Sequence, residues 1–475
     1  MNTNNTNRVE IETKFMSEYT INILALIYKW FKIDAKLESA GLPRTINKEA
    51  VAVSGELATA LKLLYTLDEL LKVTRRILRR ISTHVIEELE FSDTARGRIA
   101  VKLAAKHLPA NLPMYRIRIL VETPANLLLE ATLIEICNQL QGLVKHFPDT
   151  QPALVALRNY ALEILREQKS ACDQLLYEPM LRPLLVKAKI IASNPIQLKK
   201  LEKEVELEVR RKPRELGPYL RLLDLRKLLR NDLLILRKTV EEHGKTLTFQ
   251  VTPDKLYEWY GLALLLNSIL DIISDSDPQW KNSQKPLEIS KNTQELKIYS
   301  NMGTFKVSYN FLPEDMLERS KIANAESKGL LQIEPKENSI KEYLKNLHGI
   351  PDTIVKLSGK NGENLLLVDY KYTRSYSYLS QARFKMLAYL YEYNADYGVI
   401  ITPKPREEAE DEESKNHKGF YDKIADYQGA ILRIYNDSKV LAIVYADPNK
   451  EEADKSIQAL KELLKKTLLS SGLKR

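Results

Sequence analysis

The sequence predicts a multidomain α+β chain: a largely helical N-terminal region with some strands, followed by a C-terminal α/β domain built on a mixed sheet. Three observations predict it. The chain has 475 residues, more than one ordinary core organises, so two or three domains are expected. Apolar residues recur at helical spacing through most of residues 16 to 240. From residue 295 onward the pattern changes to strand-like runs separated by helices, the alternation of an α/β domain. The expected divisions are a helical region over 1–90, a middle region of helices, strands and long charged helices over 91–250, and the α/β domain over 251–475.

Residues 16 to 90 read as helical bundle. In "LATALKLLYTLDELLKVTRRILRRI" the side chains of Leu61, Leu63, Leu64, Leu67, Leu70 and Leu71 fall along one stripe. Arg75, Arg76, Arg79 and Arg80 form a basic i, i+4 patch, either a solvated helix face or a phosphate contact. "MYRIRILVE" then alternates like a strand. A second helical block over about 126 to 172 opens at Thr123, a capping residue, and Pro124, which suits a first helical turn. A third block, about 197 to 240, is highly charged, is broken by Pro213 and Gly217-Pro218, and reads as an extended arm. "KTLTFQV" is a short strand, and a new apolar helix starts near Pro253 with "PDKLYEWYGLALLLNSIL".

In the C-terminal part, "ELKIYS" and "TFKVSYNFL" flank Asn301-Met302-Gly303 as one hairpin. "DTIVKLS" and "NLLLVDYKYT" flank Gly359 to Gly362 as another. "YGVIITP", "AILRIYN" and "VLAIVYA" complete the strand set, with helices at "LSQARFKMLAYLYEY" and "EEADKSIQALKELLKKTLLSS". Residues 404 to 418 are a charged insert expected to form a loop, and no internal repeat is evident.

Composition narrows the function classes. Seventy-two Lys and Arg against 63 Asp and Glu leave a formal charge of +9, which favours an anionic partner such as nucleic acid. The apolar stretch "GLALLLNSILDII" is short and polar-interrupted for a bilayer span, and "MNTNNTNRVEIETK" has no signal-peptide core, so a cytoplasmic protein without a membrane role is expected. Cys137 and Cys172 lie inside helical patterns, and the six histidines show no HxH or HxxxH spacing. Neither a disulfide framework nor a zinc site is indicated. His243-Gly244-Lys245-Thr246 lacks the upstream glycine of a phosphate-binding loop, because Thr239 stands there, and it follows a helix and precedes a strand-like run, so it is not expected to bind a nucleotide.

The chemistry concentrates in "IPDTIVKLSGKNGENLLLVDYKYT". Asp369 and Lys371 are two apart in a strand and share a face, while the hairpin brings Asp352 across to them. Two carboxylates so close repel unless they share a cation, and a hard-oxygen set of this kind suits Mg²⁺ or Mn²⁺. An adjacent lysine can position or deprotonate water, or offset phosphate charge. Together these groups suit phosphodiester hydrolysis.

The Pro351-Asp352 and Asp369-Tyr370-Lys371 elements resemble the signature of the PD-(D/E)xK nuclease superfamily. The resemblance implies a restriction-endonuclease-like domain in which Asp352, Asp369 and the Tyr370 carbonyl hold the metal, with a glutamate from a preceding helix. Glu258 in "LYEWYGLALLL" is the first candidate for that glutamate and Glu342 the rival. Lys371 would act on the water, and Gln381, from the helix after the strand, would steady the site or touch a backbone phosphate. The superfamily often carries a QxxxY form there; here the interval from Gln381 to Tyr389 is longer.

"FSDTARGRIAVKLA", "YRIRILVETPANLLLEATL", "LYEWYGLALLL" and the acidic pair follow the order of the McrC-like nuclease subunits of modification-dependent restriction systems. That wider resemblance, over about residues 90 to 402, implies a DNA endonuclease working with a separate AAA+ motor. Alternatives of different duty are a repair, recombination or RNA nuclease, or an inactive nucleic-acid-binding scaffold. The basic runs Arg75 to Arg80 and Arg210 to Arg214 are candidates for DNA or partner contact.

Overall fold

The computed structural model describes residues 3–30, 56–92, 98–103, 112–148, 152–230, 235–236, 249–250, 253–280, 287–290, 293–320, 349–359, 362–405, 418, 421, 429–433 and 439–469. Glu342, the 243–246 stretch and most of the charged insert lie outside them.

Helix α1 (Thr3–Thr20) and helix α2 (Glu56–Leu78) open the chain. The segment after α2 is a strand rather than more helix: β1 (His84–Ser92) pairs antiparallel with β3 (Leu112–Leu120), and β2 (Arg98–Ile99) adds to the other side of β3. Val85, Leu89 and Phe91 alternate along β1, but every residue from His84 to Phe91 is exposed or half-buried, so no buried stripe distinguishes its sequence from a solvated helix.

Helix α3 (Pro124–Lys145) begins as its sequence requires. Thr123 Oγ1 accepts the backbone N–H of Asn126 at 3.2 Å, and Pro124 occupies the first turn. Helices α4 (Val155–Leu176), α5 (Leu185–Ala192), α6 (Pro195–Arg211) and α7 (Pro213–Arg230) follow. The charged helices α6 and α7 do not extend as an arm. They pack on each other, α6 against α3 and α7 against α2, because Leu198, Leu201, Val205 and Val209 of α6 and Leu222, Leu223 and Leu225 of α7 form buried stripes. Pro213 divides the two helices, but Pro218 sits inside α7, where it forfeits one intrahelical bond without ending the helix. The third block also stops being helical before its expected end, since β4 (Ile235–Leu236) pairs with β5 (Phe249–Gln250).

Helix α8 (Pro253–Ser276) is apolar on all sides and buried over nearly its whole length from Leu256 to Ile273. It and α3 are long and apolar enough to pass a length-and-hydropathy test for a membrane span, which the shorter run seen in the sequence did not suggest. However, 89% of the apolar window of α8 is enclosed by protein, including α1 and α11 (Lys450–Leu464). A helix buried all round by its own chain needs no polar face.

The second layer is an eight-stranded mixed sheet, which makes the described fold α+β. Strands β6 (Leu287–Ile289), β7 (Glu295–Ser300), β8 (Gly303–Tyr309), β9 (Thr353–Gly359) and β10 (Gly362–Tyr370) run as an antiparallel meander. Next, β11 (Tyr397–Thr402) pairs parallel with β10, and β13 (Val440–Tyr445) parallel with β11. At the edge, β12 (Gly429–Arg433) pairs antiparallel with β13. The β7–β8 turn has Asn301-Met302 at its tip and Gly303 at φ +133°; a Cβ there would lie 2.4 Å from the Ser358 carbonyl oxygen.

Alternation along β10 assigns its two faces. Leu366, Val368 and Tyr370 join the core shared with the helical layer, whereas Leu365 and Leu367 pack with helix α10 (Tyr376–Glu392), once α9 (Glu314–Arg319) has been passed. The larger core is continuous. It takes Met16 and Leu64 from the first segment, Leu128 and Leu222 from the middle one, and Leu264 and Val444 from the last.

Candidate active site

The site forms where β9 begins and β10 ends. Asn310, at φ +46°, turns the chain after β8 and donates its backbone N–H to the Asp352 carbonyl at 2.9 Å. Asparagine tolerates that left-handed conformation better than most residues. From α10, Tyr393 Oη donates to the Gly349 carbonyl at 2.7 Å and Tyr389 Oη to the Ile350 carbonyl at 3.2 Å, anchoring the approach to Pro351. Thus Tyr389, outside the expected QxxxY interval, supports Asp352 from behind.

The Asp352 carboxylate is fixed by the backbone N–H of Tyr370, 2.8 Å from Oδ2. Asp369 projects to the α10 side of β10 and is 1% exposed. Lys371, two residues on, closes between the acids: Nζ lies 2.6 Å from Asp369 Oδ2, 3.5 Å from Asp352 Oδ2 and 3.0 Å from the Tyr370 carbonyl. The contact with Asp369 Oδ2 is an ion pair without hydrogen-bond geometry, and this buried oxygen has no hydrogen-bond partner among the described residues. The expectation that these three residues converge is met.

Electrostatics follow from the enclosure. Burial and then the neighbouring Asp369 push the Asp352 carboxyl up to about 6, against the opposing pull of Lys371. Burial alone would lower the Lys371 ammonium, but Asp352 and Asp369 more than offset it and hold its pKa above the ordinary value. Lys371 is therefore a firm cation.

Glu258 reaches the same region from α8. Gly261, one turn further along, allows the close approach: a Cβ there would lie 2.4 Å from Tyr370 Cδ1. Glu258, Tyr370 and Lys371 line a cavity of about 510 Å³ together with Lys255, Tyr372 and Tyr378. Its carboxylate, however, is held by Lys255 at 2.8 Å and by the Tyr309 hydroxyl at 2.9 Å. Among the described residues no three His, Cys, Asp or Glu side chains gather as a metal cage, so Glu258 does not join the acidic pair as its third carboxylate.

Gln381 is exposed on α10, at the surface rather than among the enclosed acids. One helical turn later Lys385 takes the inward role, with Nζ 3.4 Å from Asp369 Oδ1. Spacing could have found it, since Gln381 and Lys385 are an i, i+4 pair on a helix known to follow the strand. A second missed contribution comes from α1. Glu12 accepts from the Tyr372 hydroxyl at 2.7 Å and from Arg374 at 2.8 Å, while Arg374 also pairs with Asp447 at 2.9 Å.

The oxygens around Lys371 Nζ test whether a divalent ion fits. Two carboxylates and one main-chain carbonyl already converge on a single positive centre, the hard-oxygen type of donor set that Mg²⁺ or Mn²⁺ takes. The residues fit such an ion with Lys371 moved aside.

No family model matches the chain, and no curated protein matches it. Among solved structures it is similar to an assembly of Thermococcus gammatolerans McrB AAA+ hexamers with bound McrC, at 13% identity and a TM-score of 0.24. That likeness covers 93% of this chain and 76% of the other. Similarity at this level carries no weight in the reading below.

Proposed function

We propose that this chain is a metal-dependent nuclease that hydrolyses phosphodiester bonds in DNA, acting as the nuclease subunit of a McrBC-like restriction or defence system beside a separate AAA+ motor. The observation that carries the hydrolytic reading is the meeting of Asp352, Asp369 and the Tyr370 carbonyl around Lys371 Nζ. The assignment to a restriction system rests on the sequence resemblance to McrC-like subunits alone.

Asp352, Asp369 and the Tyr370 carbonyl would hold Mg²⁺ or Mn²⁺. Once bound, the ion supplies Lewis-acid polarisation of the phosphate and a more acidic water. The chain's own residues do the rest. Lys371, held as a cation, stabilises negative charge that grows on the phosphate oxygens and orients the water, rather than removing its proton. Lys385 limits the repulsion between the acids by pairing with the far oxygen of Asp369. Glu258, anchored from behind by the buried Tyr309 hydroxyl, holds Lys255 at the wall of the cavity where substrate would enter.

The test is incubation of the purified chain with Mg²⁺ or Mn²⁺ and plasmid, linear duplex, single-stranded DNA or RNA, beside Asp369→Ala and Lys371→Ala. Cutting of DNA by the wild type and by neither variant supports the proposal. Preferential cutting of RNA would reassign the substrate, and equal cutting by all three proteins would reveal a contaminant.

A further inference from the structure

We infer that a basic cleft in the helical layer, away from the acidic pair, is a phosphate-binding site whose ligand is the backbone of a nucleic acid. Two basic runs separated by about 130 positions meet there: Arg80 from the end of α2, and Arg211, Lys212 and Arg214 from the α6–α7 junction. The cleft has a volume of about 480 Å³. It is also lined by Glu208 and Glu215, leaving the basic groups in excess.

Arginine at a helix C-terminus is favoured by the macrodipole wherever it occurs, so charge at the ends of α2 and α6 needs no ligand to explain it. Convergence does. Among the described residues Arg80, Arg211 and Arg214 make no ion pair or side-chain hydrogen bond, and Lys212 lies only at the 4.0 Å limit from Glu215. The first turn of α7 also faces the cleft through Arg214 and Glu215, adding the positive end of that helix.

The walls are fixed to each other by a buried network. Asn126 of α3 donates to the Ser82 carbonyl at 2.8 Å and accepts from the Tyr219 hydroxyl of α7, which also receives the Ser82 N–H at 3.4 Å. Tyr219 is 1% exposed and Asn126 fully buried. The segment carrying Arg80 is thereby tied to the helix carrying Arg214, and the guanidinium groups stand around a preformed space.

Guanidinium forks match phosphate oxygens, and the space takes more than one phosphate group. This favours successive phosphates of a backbone over a single free anion. The inference is independent of the nuclease reading, because it concerns binding and involves none of the residues of the acidic site.

The test uses the full chain in EDTA, where no cutting occurs, and reads anisotropy of a short labelled DNA duplex from about 50 to 200 mM salt. Arg80→Gln/Arg211→Gln/Arg214→Gln is compared with Arg75→Gln/Arg76→Gln/Arg79→Gln, which removes the same charge from exposed positions outside the cleft. Circular dichroism melts verify that both are folded. The cleft variant is expected to bind at least about tenfold more weakly, with a salt slope shallower by about two to three; the control is expected to lose less than about threefold. Equal losses would overturn the site in favour of diffuse charge, and no loss in the cleft variant would overturn it outright. Inorganic phosphate and a mononucleotide are expected to displace duplex no better than chloride at matched ionic strength. Stronger displacement by either would reassign the cleft to a free phosphate, and efficient displacement by polyglutamate to an acidic protein.

Discussion

Lys371 Nζ lies 2.6 Å from Asp369 Oδ2 and 3.5 Å from Asp352 Oδ2, closing the acidic pair from one side while Lys385 meets the far oxygen of Asp369. Both side chains are enclosed, so the ammonium offsets a repulsion that solvent cannot screen. Removing one partner of such a buried pair costs on the order of 3 kcal/mol. Lys371→Met should therefore lower the thermal unfolding midpoint of the metal-free protein, and millimolar Mg²⁺ should restore it by more than it raises the wild type. A variant as stable as the wild type, with no added response to Mg²⁺, would show that Lys371 is not standing between the acids.

Asp352 sets a pH limit. Its folded pKa of about 6 lies above the ordinary 3.8, so the folded protein binds this proton more tightly than the unfolded chain. The resulting stabilisation is full below about pH 4 and is lost as pH rises through about 6. Metal binding has the opposite sign, because it needs the carboxylate ionised. Urea unfolding of the metal-free protein should show this loss of stability between about pH 4 and 6, with a flatter profile in Asp352→Asn; parallel profiles would place Asp352 in an ordinary, solvated setting.

Glu12 and Arg374 are 362 positions apart yet share a hydrogen bond of 2.8 Å just beyond Lys371. Both are largely buried, so Glu12→Gln and Arg374→Gln should each destabilise the fold, and the double variant should cost less than the sum. A coupling of about 1–3 kcal/mol from urea unfolding is expected. Additive effects would mean that α1 does not brace the loop after the active strand.

Glu130 is fully buried in α3, and among the described residues neither carboxylate oxygen has a hydrogen-bond partner. Burial pushes its pKa up to about 8. Stability should fall as pH rises from about 4.5 through about 8, by roughly 3–5 kcal/mol at about 1.4 kcal/mol per unit. Urea unfolding across this range should show the decline in the wild type and a flatter profile in Glu130→Gln. Parallel profiles would mean that Glu130 finds a partner.

The chemistry of this protein was legible where it is local. Asp352, Asp369 and Lys371 lie on one hairpin, whose period-two pattern settles which side chains share a face. The runs "ELKIYS", "TFKVSYNFL", "DTIVKLS", "NLLLVDYKYT", "YGVIITP" and "VLAIVYA" gave the larger sheet for the same reason, since each has one or both faces buried. Strand β1 has no buried face to mark it in the sequence, and charge dominates the composition of α6 and α7 and masks the stripes that pack them. Lys385, four residues after Gln381, belongs to no motif, and only the packing of α10 on β10 turns it toward Asp369. Glu12 and the meeting of Arg80 with Arg214 have no local signal at all: they arise only when distant helices pack.

The central claim is that Asp352 and Asp369 hold one divalent ion, and titration of Mn²⁺ into the metal-free protein, followed by loss of the free-ion magnetic resonance signal, tests it most directly. One ion should bind per chain at pH 7.5, Asp352→Asn/Asp369→Asn should abolish that binding, and Lys371→Met should retain it. Undiminished Mn²⁺ binding by a correctly folded double variant would contradict the claim.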